Sequence, residues 1–295
     1  MLKRVVDISE QAYLNVENSQ LHITKKRELV ASIPIEDLGV LVLQSPQITL
    51  TQSVVTLCQK NNVAILFCDD KHLPISITLP LWEGNSLHSK TLKEQINASM
   101  PTQKQLWKQV VKEKIKQQSE TLMFARKSSA GLKRIISKVK SGDPGNCEAQ
   151  AAQQYWKLLM GKDFRRNRDD PGINALLNYG YSILRAMVAR ALVGTGLHPS
   201  IGIHHKNQYN SLCLADDLME PFRSWVDWLV YQIVDEGGAL EIDRGSKGKL
   251  LGLLSCPVKY DGNKMALMVA VSRLCARVKG ILGGSNEVLL FPQRG

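Results

Sequence analysis

Residues 202–223, GIHHKNQYNSLCLADDLMEPFR, set two adjacent histidines ahead of an acidic cluster of Asp216, Asp217 and Glu220, in a chain whose formal net charge is +11. Carboxylates near a polyanion repel it unless a cation stands between them, so an acidic pocket in a basic protein points to a bound divalent metal. If residues 214–219 are helical, Asp217 and Glu220 share one face and converge on one ion, whereas Asp216 points about 100° away. The competing reading is an acidic patch that complements the dipole of the following helix. Pro221 disfavours α geometry at Glu220 and suits the first turn of a new helix, which predicts a boundary there with Glu220 accessible.

His204 and His205 precede Asn207, Gln208, Tyr209 and Asn210, a composition that reads as loop or short extended structure. Neighbours in an extended segment face opposite sides, so at most one of the two rings enters the acidic site, and the local pattern does not choose between them. Imidazole with carboxylates suits Mn²⁺ or Mg²⁺, both of which keep waters that a substrate phosphate can replace. Glu148 is a third acid of interest. Ala149, Ala151 and Ala152 follow it, so its helix can pack closely and carry the carboxylate into a cleft; the alternative is a first-turn Glu placed for the helix dipole. The bases Lys162, Arg165, Arg166 and Arg168 form a phosphate clamp or a solvated loop, and Arg223 either pairs with Glu220 or holds a phosphate.

The elements that must position these residues change character along the chain. Residues 1–80 carry seven Lys/Arg against eight Asp/Glu, a net −1, and the remainder thirty-one against nineteen, a net +12. Leu14 and Val16, then Leu21 and Ile23, alternate with polar residues around Asn18-Ser19, which predicts a hairpin. Residues 40–43 and 64–67 are apolar runs suited to buried strands, residues 51–60 suit a helix between them, and residues 74–79 suit a last strand. Pro80, Gly84 and Asn85 then interrupt regular structure, so a linker is expected over 81–88. Beyond it the period is helical: Trp107, Val111 and Ile115 at i+4; Leu132, Ile135, Ile136 and Val139, with Gly131 as a break between the two stripes; then 148–160, 173–192, 212–234 and 265–281. The expected fold is α+β, with a small N-terminal β-rich, sandwich-like domain over 1–80 and a larger all-helical catalytic and DNA-binding domain over 89–295.

Eleven Lys/Arg between residues 104 and 140 face only Glu113 and Glu120, a run that attracts phosphate. The six cysteines show no CxxC pair or zinc spacing and read as reduced thiols. No apolar run spans a bilayer and no signal-peptide order is evident, so a cytoplasmic protein is expected.

Taken together, CEAQAAQQYW around Glu148, PGINALLNYGYSILR from Pro171 to Arg185, and GIHHKNQYNSLCLADDLMEPFR resemble the CRISPR-associated endonuclease and integrase family that inserts new spacers, in the form accompanying type II systems. The resemblance implies Glu148, His205 and Glu220 as ligands of Mg²⁺ or Mn²⁺, with Asp217 at an acidic position of the same site. It favours His205 over His204 because His205 lies three residues after Gly202 and fifteen before Glu220, as the family pattern places it. It further implies joining of 3′-hydroxyl ends of short duplexes to a CRISPR repeat, a homodimer, a small companion acquisition protein and further type II components. Lys162, Arg165, Arg166, Arg168, Lys206 and Arg223 are the DNA-contact candidates. Two other functions fit the residues: a structure-specific repair nuclease using the same pocket, and a non-catalytic architectural DNA binder indifferent to Glu148, His205 and Glu220.

Overall fold

Alternating apolar residues build the first sheet of the computed structural model, which describes residues 3–70, 72–80, 86–167, 170–238 and 240–294. Strands β2 (Tyr13–Glu17) and β3 (Gln20–Lys25) pair antiparallel, with Leu14, Leu21 and Ile23 buried. Asn18 (φ 49°) and Ser19 (φ 61°) make the two-residue turn with positive φ that matches strand twist. Lys26 and Arg27 repeat that geometry before β4 (Glu28–Pro34), and β6 (Thr49–Leu50) completes the order β4-β3-β2-β6. The second sheet runs β1-β5-β7-β8, from β1 (Arg4–Ile8), β5 (Leu38–Leu43), β7 (Ala64–Cys68) and β8 (Pro74–Thr78), with α1 (Gln52–Lys60) between β6 and β7. All six residues of β5 are buried because both its faces are covered. Leu41 and Leu43 pack inside the N-terminal part, while Val40 and Val42 join the core of the helical part.

The helical part comprises α2 (His88–Asn97), α3 (Met100–Phe124), α4 (Ala130–Ile136), α5 (Cys147–Leu159), α6 (Ile173–Thr195), α7 (Cys213–Asp235), α8 (Arg244–Gly252) and α9 (Leu267–Leu282). Helix α7 packs against both α3 and α6. At the α6–α7 crossing a Cβ on Gly180 would stand 2.4 Å from Val226, so only glycine permits that approach. Between the same helices Asp227 is buried and accepts hydrogen bonds from Tyr155, at 2.9 Å, and Tyr181. Burial pushes its carboxyl up to about 6, against the pull of those hydroxyls and of Arg223. A raised acid stabilises the fold below its unfolded value and loses that contribution as pH rises through the folded value. Relative to Asp227→Asn, the wild-type protein should therefore lose about 2 kcal/mol of stability between pH 4 and pH 7, the larger part of a two-unit shift at about 1.4 kcal/mol per unit. Urea unfolding of both proteins at the two pH values checks this, and a pH-independent difference would contradict it.

The α+β class holds, and the expectation of an all-helical second part is corrected. Strands β9 (Pro257–Tyr260) and β10 (Asn263–Ala266) form a hairpin over Asp261 (φ 50°) and Gly262 (φ 75°), and β11 (Gln293–Arg294) adds to β9. The Asp-Gly pair in YDGN was the available signal for that turn. Gly131 lies inside α4 rather than at the break, which falls at residues 125–129, where Arg126 has φ 55°. Pro221 lies inside α7, whose helix continues without a boundary: a proline costs one i−4 hydrogen bond there, and the buried faces of α7 hold the helix together. Of the expected linker 81–88, residues 81–85 lie outside the described residues, and α2 already begins at His88. The cysteines are free, and among the described residues no helix is long and apolar enough to cross a membrane.

Candidate active site

Asp217, on the first turns of α7, holds the histidine loop by its backbone. Its Oδ2 accepts the amides of Ile203 at 2.7 Å and His204 at 3.0 Å, and its Oδ1 accepts the amide of His205 at 3.1 Å. The same Oδ1 lies 2.6 Å from His205 Nδ1. A Cβ on Gly202 would stand 2.3 Å from the His205 carbonyl and 2.8 Å from Asp217 Oδ2, so the loop closes this tightly only over glycine. Because a carboxylate only accepts, the neutral His205 ring carries its proton on Nδ1 and keeps its lone pair on Nε2, the arrangement of a metal-binding histidine with its carboxylate partner. The Asp217 hydrogen bond raises the His205 pKa; burial opposes it, and the charges of Glu220 and Glu148 add to the rise.

The two histidines do not face opposite sides as an extended segment would place them, because the chain bends at 203–204. Both rings lie on Trp107 of α3: His204 stacks on it at 4.0 Å between centroids, and His205 meets it edge-on at 5.8 Å. Burial lowers the His204 pKa, and among the described residues its ring has no carboxylate partner comparable to the one His205 has in Asp217.

Glu220 and Glu148 come from α7 and α5 and meet on α3. Lys114 Nζ lies 2.5 Å from Glu148 Oε1 and 2.5 Å from Glu220 Oε2, while Arg223 Nε donates to Glu220 Oε1 at 2.8 Å. Glu220 is 6% exposed, so it is buried rather than accessible as a helix boundary would have made it. Burial by itself would raise the Glu220 carboxyl, but Arg223 and Lys114 hold it down to about 2. For Lys114 the two glutamates outweigh burial and raise its pKa. Asp217 and Glu220 share a face of α7 yet serve different partners, so the expectation that this pair converges on one ion is corrected. The dipole reading of Glu148 gives way to a division of labour: Asp143 accepts the amides of Cys147 at 2.9 Å and Glu148 at 3.0 Å, which leaves the Glu148 side chain for Lys114.

Asp216 points away, as its position on the helix predicts, into a fork from Arg185 at 2.7 and 2.9 Å. Of the six DNA-contact candidates, Lys162, Arg165 and Lys206 are exposed, and Arg168 lies outside the described residues. Arg166 turns inward to Asn174 at 2.9 Å and Asn178 at 2.6 Å, and Arg223 turns inward to Glu220, with both guanidinium groups over the Tyr181 ring. For these two the phosphate-clamp expectation is corrected: their forks are already occupied by amide and carboxylate oxygens. Lys114, counted among the phosphate-attracting bases, is likewise buried. The available signal was its place in the apolar stripe, seven residues after Trp107 and three after Val111.

Among the described residues no three His, Cys, Asp or Glu side chains stand close enough to hold an ion as they are. The point on which Glu148 and Glu220 converge is taken by the Lys114 ammonium. Two carboxylates gathered around one cation, and an imidazole whose proton Asp217 holds on Nδ1, are donor types that fit Mg²⁺ or Mn²⁺.

The family model described as CRISPR associated protein Cas1 matches residues 6–244. A relative named CRISPR-associated endonuclease Cas1, from Neisseria meningitidis serogroup C, is 31% identical over 297 residues, covering 99% of this chain and 97% of the relative. A casposase bound to integration product has a similar fold, with TM-score 0.78 and 20% identity over 98% of this chain and 92% of the casposase. A chain of a Cas6-RT-Cas1–Cas2 complex also shares the fold, with TM-score 0.74 and 18% identity, covering 95% of this chain and 35% of that one.

Proposed function

Because this chain belongs to the CRISPR-associated Cas1 family, we propose that it is a divalent-metal-dependent DNA endonuclease and integrase that joins the 3′-hydroxyl ends of short duplexes to the phosphodiesters of a CRISPR repeat. The observation that carries this reading is the pairing of Glu148 and Glu220 on one ammonium of α3, with the Asp217–His205 pair packed on Trp107 of the same helix. Glu148, Glu220 and His205 Nε2 would hold Mg²⁺ or Mn²⁺. When bound, the ion supplies charge neutralisation at the scissile phosphate and acidifies the attacking hydroxyl or water.

The protein's own residues do the rest. Asp217 fixes the tautomer and direction of His205, Arg223 fixes one oxygen of Glu220, and Trp107 supports both imidazoles. Exchange of one phosphodiester for another conserves bond energy, so joining needs no nucleoside triphosphate, and the sequence has no GxxxxGK[ST] loop. Cutting and joining then share one site and differ only in whether water or a DNA hydroxyl attacks.

The exposed bases Lys104, Lys133, Arg134, Lys138 and Lys140, on and beside α3 and α4, would contact the DNA backbone. Contacts of this kind predict duplex affinity that falls by about 0.9 power of salt for each neutralised phosphate, whatever the sequence. Affinity that ignores salt would contradict it. The family supplies the expected partners: a second copy, docked through the N-terminal β-rich part, and a small companion acquisition protein. The deciding assay offers duplexes with free 3′-hydroxyl ends and a repeat-containing plasmid, with Mg²⁺ or Mn²⁺ and with chelator. Covalent joining that chelator abolishes is expected. Cleavage without joining would indicate a repair nuclease, and metal-independent joining would remove the metal from the account.

A further inference from the structure

We propose that Lys114 is a resident counter-cation: a positioning residue whose ammonium holds Glu148 and Glu220 together until a divalent ion replaces it, so that ammonium and ion occupy the two acids in turn. The inference rests on the metal-dependent reading above and concerns how the site stays assembled before the ion arrives.

Three helices meet at this point, α3 bringing the lysine, α5 Glu148 and α7 Glu220. Without a cation between them, two carboxylates converging on one point in a largely buried place would repel each other and drive α5 from α7. Lys114 prevents this with little exposure of its own, 10% for the side chain, and Arg223 secures the remaining oxygen of Glu220. Two acids and two bases balance the cluster without any metal. A dication added while the ammonium stayed would leave two surplus positive charges beside a Glu220 that is 6% exposed. Glu148 and Glu220 are also the acids that would hold the ion, and the oxygens they turn toward the junction, Oε1 and Oε2, are both taken by the ammonium at 2.5 Å. Ion and ammonium therefore exclude each other by charge and by space. Lysine suits the role where arginine would not: its point charge on a flexible four-carbon stem can withdraw, whereas a guanidinium fork would stay. Arg223 has no need to move, because it bonds the other oxygen of Glu220.

The test compares Mn²⁺ binding to the full chain and to Lys114→Met by the loss of the free-ion paramagnetic resonance signal. With no ammonium to displace, the variant is expected to bind Mn²⁺ at least about tenfold more tightly, and to melt at lower temperature than wild type without metal, with Mn²⁺ restoring the difference. Equal or weaker Mn²⁺ affinity in the variant would overturn the proposal. The wild-type protein supplies a second measurement that does not depend on the variant folding. Acylation of Lys114 by a water-soluble succinimidyl ester, read by mass spectrometry, should be suppressed without metal and rise several-fold as Mn²⁺ saturates. A Lys114 reactivity indifferent to Mn²⁺ would overturn the proposal by itself. Failure of Mn²⁺ to bind either protein would instead overturn the metal-dependent reading on which the proposal stands.

Discussion

Glu148→Gln is expected to lower strand transfer by about 10³-fold or more while leaving duplex affinity intact. Glutamine keeps the length and shape of the side chain in the first turn of α5, where Asp143 continues to cap the helix. What disappears is one of the two negative charges that gather a cation at the α3–α5–α7 junction. A bound divalent ion supplies several kcal/mol to a phosphoryl-transfer transition state, and each 1.4 kcal/mol is about tenfold in rate. Removing a negative charge near a polyanion does not weaken its binding, so an anisotropy titration with duplex DNA should show affinity equal to or above that of the wild type. Glu148 is the better target of the two glutamates. Loss of Glu220 would strand both Lys114 and Arg223 in a buried place, mixing a folding defect with the catalytic one. Integration retained by purified Glu148→Gln would take this residue out of the chemistry.

Asp217→Ala should act through the fold as well as through the site. The carboxylate is fully buried and accepts three consecutive backbone amides in addition to the His205 ring. An orphaned buried donor costs about 1–3 kcal/mol, and with one of the three hydrogen bonds buried and two part-buried the substitution should destabilise the protein by about 2–5 kcal/mol and release the 202–205 loop. Urea unfolding measures the loss, and a change below about 1 kcal/mol would show that the carboxylate does not hold the loop. Asp217→Asn separates the two roles. Its amide oxygen can still accept the Ile203 and His204 amides, but an NH₂ in place of Oδ1 would lose the His205 amide and favour the wrong ring tautomer, an effect that typically costs about 10–100-fold in metal affinity or activity.

Much of the fold was legible because local chemistry and tertiary demand agreed. The β2–β3 hairpin around Asn18-Ser19, the buried runs of β5 and β7 and the stripe of α3 all follow from periodicity and turn residues. The failures came where packing overrode local preference. Pro221 is carried inside a helix held on several sides, and Gly131 is carried inside α4. Helix α8 starts at an Asp243 capping box completed by Ser246, a pairing the usual search for Glu or Gln at that position does not find. At the site, residue types and their order pointed to Glu148, Glu220, Asp217 and the histidines. Which histidine meets Asp217 depends on how a glycine-anchored loop folds over one carboxylate, which spacing cannot specify. The role of Lys114 was hidden because a lysine in a basic run looks like any other until its neighbours show that it faces the core.

Side chains of α5, α7 and the 202–205 loop are expected to close on one divalent ion beside α3. Anomalous diffraction from crystals soaked in Mn²⁺ tests it most directly. A single strong peak bonded to Glu148, Glu220 and His205 Nε2 is expected, with the Lys114 ammonium withdrawn from both acids. A saturated soak with no peak there, or with Mn²⁺ elsewhere while Lys114 still bridges Glu148 and Glu220, would contradict it.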